Sequence, residues 1–145
     1  SHNMAGWRLG MIGADKDLID SILKVKSNMD SGMFYPIQKA AVCALQLSSS
    51  WYKKINEKYL IRRKIIWDIL DLLDCSYSKK SGGMFVWAKL PTNKIDSLTF
   101  SDTILNEHGV FITPGDIFGS NGKGYIRPSL CNNEETLIKV KERLK

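Results

Sequence analysis

Apolar side chains recur at helical spacing in the first half of the chain and at shorter intervals in the second, and that change of period predicts the order of elements. Between Asp15 and about Met29, Leu18, Ile19, Ile22, Leu23 and Val25 fall on one helical face, with Asp15 and Asp17 near the positive end of the helix dipole. A break at Asp30-Ser31-Gly32, followed by Pro36 in an opening turn, predicts a second helix through Gln38, Ala40, Ala41, Ala44 and Leu45. Its small residues predict close packing inside a larger body. After Ser48-Ser49-Ser50 comes the longest helical pattern, with Ile55, Tyr59, Ile66, Ile69, Leu70 and Leu73 on one side and Lys58, Arg62 and Arg63 mostly on the other. Ahead of all three, Leu9 and Met11 among the glycines of Trp7 to Gly13 predict a short buried strand entered from an irregular loop.

The second half reads differently. Strand-type runs at Cys75 to Lys79 and Met84 to Lys89 flank Lys80-Ser81-Gly82-Gly83, which has the composition of a hairpin loop, and Pro91 ends the second run. A helix near Thr99 to His108 is closed by Gly109, and Val110-Phe111-Ile112 predicts a short apolar strand. Thr113 to Gly124, rich in glycine, predicts a loop, Tyr125-Ile126-Arg127 a strand, and Asn132 with Glu135 the start of a last helix. The order α, α, long α, β, β, α, β, β, α predicts an α/β layer domain from about residue 50, with residues 1–49 forming part of another domain.

Composition narrows the class. A chain of 145 residues, 43% hydrophobic and 25% charged, is ordinary for a soluble globular domain, which excludes disordered, collagen-like and membrane classes. A length of this order buries about two thirds of the unfolded surface, so no disulfide or metal is needed for a core. The net charge of +6 comes from scattered residues such as Lys24, Lys53, Arg62, Lys79 and Lys139, without a recognised nucleic-acid module, so no nucleic-acid partner is expected. Cys43, Cys75 and Cys131 are odd in number and lack CxxC spacing; buried thiols in a reducing cytosol are expected. No apolar run approaches a membrane span and no signal-peptide pattern opens the chain, which makes a cytoplasmic protein the expectation. His2 and His108 lack ligand-spaced partners, so no metal site is expected.

The opening Ser1-His2-Asn3-Met4-Ala5-Gly6-Trp7-Arg8-Leu9-Gly10 resembles the run that follows the cofactor-binding lysine of class I/II, fold type I, pyridoxal-phosphate-dependent aminotransferases, in particular the subgroup of aspartate, aromatic and LL-diaminopimelate aminotransferases. Gly109-Val110-Phe111-Ile112-Thr113-Pro114-Gly115, Phe118-Gly119 and Gly124-Tyr125-Ile126-Arg127-Pro128-Ser129-Leu130 resemble the same family's segment leading to its substrate-carboxylate arginine. Gly82-Gly83-Met84-Phe85-Val86-Trp87-Ala88 resembles its small-domain hairpin, in which Phe85 and Trp87 are expected to be core.

The resemblance implies a C-terminal α+β small domain over residues 50–145 preceded by a remnant of the large cofactor domain over residues 1–49. It implies that Arg8 binds the phosphate of pyridoxal 5'-phosphate and that Arg127 clamps the substrate α-carboxylate, both through the bidentate fork of a guanidinium. Ser31 and Tyr35 match loosely a place where a neighbouring subunit of a homodimer reaches the phosphate. The cofactor lysine would fall directly before Ser1, and the family's ring-binding aspartate, asparagine and tyrosine would lie further upstream. The expectation is therefore a C-terminal aminotransferase fragment that has no catalytic residue of its own, does not transaminate and does not hold the cofactor, whereas its parent moves amino groups between amino acids and 2-keto acids. A pyridoxal-dependent lyase on the same fold and a non-catalytic small binding domain are the alternatives. The long helix would join the two domains, and closure of the small one would bring Arg127 to the carboxylate. Apolar surface along Met33 to Leu47 is expected to be exposed, favouring self-association or a rearranged N-terminal region.

Overall fold

In the computed structural model, which describes residues 2–91 and 96–145, the chain divides into two compact units, Ser1–Tyr52 and Lys53–Lys145. Ser1, the first residue of the opening motif, lies outside the described residues.

The first unit is helical. After a single 3₁₀ turn at Ala5–Trp7 come α1 (Lys16–Met29) and α2 (Tyr35–Leu45), the latter with Pro36 in its first turn. Asp15 stands at the N-cap of α1 and Asp17 in its first turn, where negative charge meets the exposed amides. Gly32, at φ 130°, makes the break between the helices in a conformation that favours glycine. The strand expected at Trp7 to Gly13 does not form. No strand lies within this unit to pair with it among the described residues, and Met11 is 87% exposed. None of the described residues of the unit is buried, and Met33, Phe34, Tyr35, Val42, Leu45 and Leu47 all present apolar surface to solvent.

The second unit holds the core. Most of α3 (Ser49–Leu72) lies in it, followed by β1 (Ser76–Tyr77), β2 (Ala88–Lys89), α4 (Ser97–His108), β3 (Thr113–Pro114), β4 (Tyr125–Arg127) and α5 (Glu134–Arg143). The strands form one sheet in the order β1-β2-β4-β3, every pair antiparallel. The fold is thus mixed α/β of the α+β kind, as the order of elements predicts. Ile66, Ile69 and Leu70 of α3, Ile104 of α4 and Leu137 of α5 share one core with Val86, Ala88, Leu90, Ile126 and Leu130 from the sheet region. Removing such side chains from water is the main stabilising term, about 1.5–3 kcal/mol for each large one.

Helix ends follow side-chain chemistry that the spacing only approximates. Asp96 caps α4 by accepting from the Thr99 amide, and Gly109 closes it at φ 63°. The cap of α5 is Asn133, which accepts from the Thr136 amide, and not Asn132. Arg62 of α3 pairs with Glu134 of α5 at 2.7 Å, and Lys141 with Asp68 at 2.7 Å.

Arg63 departs from the polar face expected for it. It is 8% exposed, and its guanidinium donates to the carbonyls of Ser81 (3.1 Å) and Gly83. A helix stripe wider than the apolar positions alone brings the stem inward, and the loop carbonyls satisfy the charge. The cysteines also differ from expectation: Cys75 is buried, with its thiol pushed up to about 11 by burial and the Asp74 charge, whereas Cys43 and Cys131 are exposed.

Candidate functional site

The geometry of the sheet explains where the second unit's chemistry sits. From Met84 to Leu90 side chains alternate across the chain: Val86, Ala88 and Leu90 are buried, while Phe85 and Trp87 are 43% and 39% exposed. The core role expected for these two aromatics is therefore wrong. In extended backbone successive side chains point to opposite faces, and the smaller residues took the inner one. The segment pairs with the chain after β4 as well as with β4 itself. Ala88 faces Ile126, Phe85 bridges Ser129, and the Val86 amide donates to the Pro128 carbonyl at 3.0 Å.

Arg127 ends β4 on the outer face. Extending the Ala88 to Ile126 register by one step puts Trp87 across from it, so Phe85 becomes its diagonal neighbour, within reach of a long side chain. The Arg127 Cζ lies 4.1 Å from the centroid of the Phe85 ring and 4.1 Å from that of Phe118. Its Nε is buried without a hydrogen-bond partner. The aromatic group continues outward: Trp87 meets Phe118 edge-on at 5.8 Å and stacks on Tyr125 at 5.4 Å.

Phe118 comes from the glycine-rich segment predicted as a plain loop. Instead, the segment contains β3 and two 3₁₀ turns, Gly115–Phe118 and Ser120–Gly122, folded against each other. The expected strand at Val110-Phe111-Ile112 shifts to Thr113–Pro114, where it pairs with Arg127 and Ile126. The fold-back needs two glycines. A Cβ on Gly122 would stand 1.9 Å from the Gly115 carbonyl oxygen, and one on Gly115 would stand 2.2 Å from that of Gly122. Asp116, in the same turn, accepts from the Ser97 hydroxyl at the start of α4.

In the first unit, Arg8 follows the 3₁₀ turn with a left-handed backbone, φ 52°, and its amide donates to the Ala5 carbonyl at 3.2 Å. Its side chain is exposed. Ser31 is exposed beside Gly32, and Tyr35 begins α2 with the Lys39 ammonium 5.1 Å over its ring. His2 approaches the Tyr52 hydroxyl at 2.7 Å, and His108 approaches the Arg143 carbonyl at 2.7 Å. Arg8 and Arg127 thus belong to different units, and each lies among its own neighbours.

The family model for aminotransferases of class I and II matches residues 1–144. The chain belongs to this family. It is 36% identical over 145 residues to an LL-diaminopimelate aminotransferase of Aquifex aeolicus, an alignment covering 100% of this chain and 37% of that relative. Its fold matches an aromatic aminotransferase from Pyrococcus horikoshii with a TM-score of 0.87 at 31% identity, over 97% of this chain and 38% of the other. BacF from Bacillus subtilis gives a TM-score of 0.88 at 31% identity, over 98% of this chain and 38% of that one. The chain accordingly spans a little over a third of the length of these relatives. The LL-diaminopimelate and aromatic aminotransferases among them carry names of the subgroup to which its motifs point.

Proposed function

We propose that this chain supplies the carboxylate-binding arginine and one phosphate-binding arginine of a pyridoxal-phosphate-dependent aminotransferase acting on amino acids and 2-keto acids. The observation that carries the reading is the state of Arg127, a guanidinium on the outer face of the sheet with two aromatic ring centroids 4.1 Å from its Cζ and no acidic side chain paired with it among the described residues. A charged donor in that setting is stabilised by an anionic acceptor, and a carboxylate matches its fork. Arg8 would hold the cofactor phosphate; it closes a 3₁₀ turn in the left-handed conformation with its side chain exposed, and a guanidinium fork fits that group. When bound, pyridoxal phosphate supplies the electron sink that lets an α-proton leave. Neither arginine carries a proton; both fix position, which is their share of the rate.

Residues 1–49 would belong to a cofactor domain and residues 50–145 to a small domain, a reading supported by the division into compact units at Tyr52 and Lys53. A cytoplasmic location is supported by three free cysteines, two of them exposed, which suits a reducing compartment. A homodimer is supported by the apolar side chains exposed between Met33 and Leu47.

The test is amino transfer by the full-length protein, from a panel of amino acids that includes LL-diaminopimelate to 2-oxoglutarate, with Arg127→Ala alongside. The expected result is transfer by the wild type, with KM for the amino acid raised on the order of a hundredfold in the variant and kcat changed much less. Elimination without transfer would replace the aminotransferase by a lyase. An unchanged KM would remove Arg127 from the substrate.

A further inference from the structure

We infer that Phe85 and Phe118 are positioning residues that lock the plane of the Arg127 guanidinium, so that an acid can meet it only edge-on. The inference rests on the reading of Arg127 as a carboxylate group's partner and extends it to the two side chains that control its orientation.

A guanidinium has two faces and an edge, and its N–H bonds all lie in its plane. The Arg127 Cζ lies over both the Phe85 and the Phe118 ring, each centroid 4.1 Å away, and on this inference the two rings take its two faces, where π-systems attract the cation and exclude water. Nε is closed to solvent. What remains for an incoming anion is the outer edge, where Nη1 and Nη2 lie side by side. A carboxylate is planar with two oxygens at matching separation, so it completes two parallel bonds there without tilting the arginine. A long flexible side chain would otherwise lose rotamer freedom on binding; here that entropy is already lost in the folded protein, which favours binding.

The two rings are held by different means. Phe85 follows the Ser81 to Gly83 loop whose carbonyls accept from buried Arg63, and its own backbone bridges Ser129. Phe118 sits at the end of a 3₁₀ turn fixed by the Gly115 to Gly122 contact, and its ring meets the edge of Trp87. Both rings are more than 40% exposed, so neither is needed to fill the core.

The experiment uses the full-length protein with Phe118→Leu, Phe85→Leu, Phe118→Tyr and Arg127→Met. Binding of 2-oxoglutarate is followed by titration, KM and kcat are measured for transfer, and the Arg127 Nε–H resonance is recorded by NMR. Each Leu variant is expected to weaken 2-oxoglutarate binding and raise KM about tenfold, with kcat within about twofold. The Nε–H signal should lose its ring-current shift, and Phe118→Tyr should behave as wild type. Thermal melting checks that the variants fold. Leu variants that bind as wild type while Arg127→Met does not would overturn the positioning role and leave the arginine's role intact. Unchanged binding in Arg127→Met would instead remove the reading on which the inference rests.

Discussion

The two units of this chain are both rich in apolar side chains, the first the richer, and use them in opposite ways. In the second, a stripe of α3, the inner face of the sheet and single residues of α4 and α5 converge on one core. In the first, α1 carries a clear apolar face and α2 a run of small residues, yet no described residue is buried. Amphipathic periodicity states that a face should be covered; it does not state that this chain covers it. The difference teaches that the second unit's stability is written in its own contacts, while the first unit's helices expose the surface on which they would ordinarily depend.

The contrast breaks most sharply under truncation of matched leucines. Leu70→Ala, at a fully buried site, should lower unfolding free energy by about 2–5 kcal/mol in chemical denaturation, whereas Leu23→Ala in α1 should stay within about 0.5 kcal/mol. Equal effects would mean that α1 is covered after all. Next in size, Gly122→Ala forces a Cβ against the Gly115 carbonyl and should destabilise by about 3 kcal/mol, with loss of the Phe118 contact to Arg127 seen as a changed ring-current shift. Arg63→Met keeps the buried stem but strands the Ser81 and Gly83 carbonyls; a loss of about 2 kcal/mol is expected by the same denaturation measurement.

The smallest effect is electrostatic. The hydrogen bond from Arg62 holds the Glu134 carboxyl below its usual 4.5. A group whose folded value is depressed contributes stability above its unfolded value, and that contribution fades as pH falls through the lower folded value. Glu134→Gln should therefore lower Tm slightly near neutral pH, and the gap to wild type should close below about pH 4.5 as the carboxyl protonates. A gap that persists in acid would assign the effect to packing.

Much of this was legible in the sequence because it depends on neighbours a few residues apart. The starts of α1 and α2, the glycine that closes α4 and the strand at Tyr125 each follow from local period or cap chemistry, and the order of elements follows from them. What escaped depends on residues distant in sequence. Arg63 looked like a surface cation because the carbonyls that satisfy it belong to a loop beyond the end of its helix. The 3₁₀ turns of residues 115–122 looked like loop because their stability lies in a glycine-to-glycine approach that no propensity records. Phe85 and Trp87 were misplaced although the signal was present: Val86, Ala88 and Leu90 alternate with them, and the period fixes which set faces inward once one member is assigned.

That alternation separates two kinds of change along a single ribbon. Val86, Ala88 and Leu90 answer to the core while Phe85 and Trp87 share the outer face with Arg127, so drift on that face can change the surface the protein presents without loosening what it is built on. One lineage could rewrite Phe85 or Trp87 while its fold stood still, and another adapting to heat could repack Val86 while its outer face stayed the same.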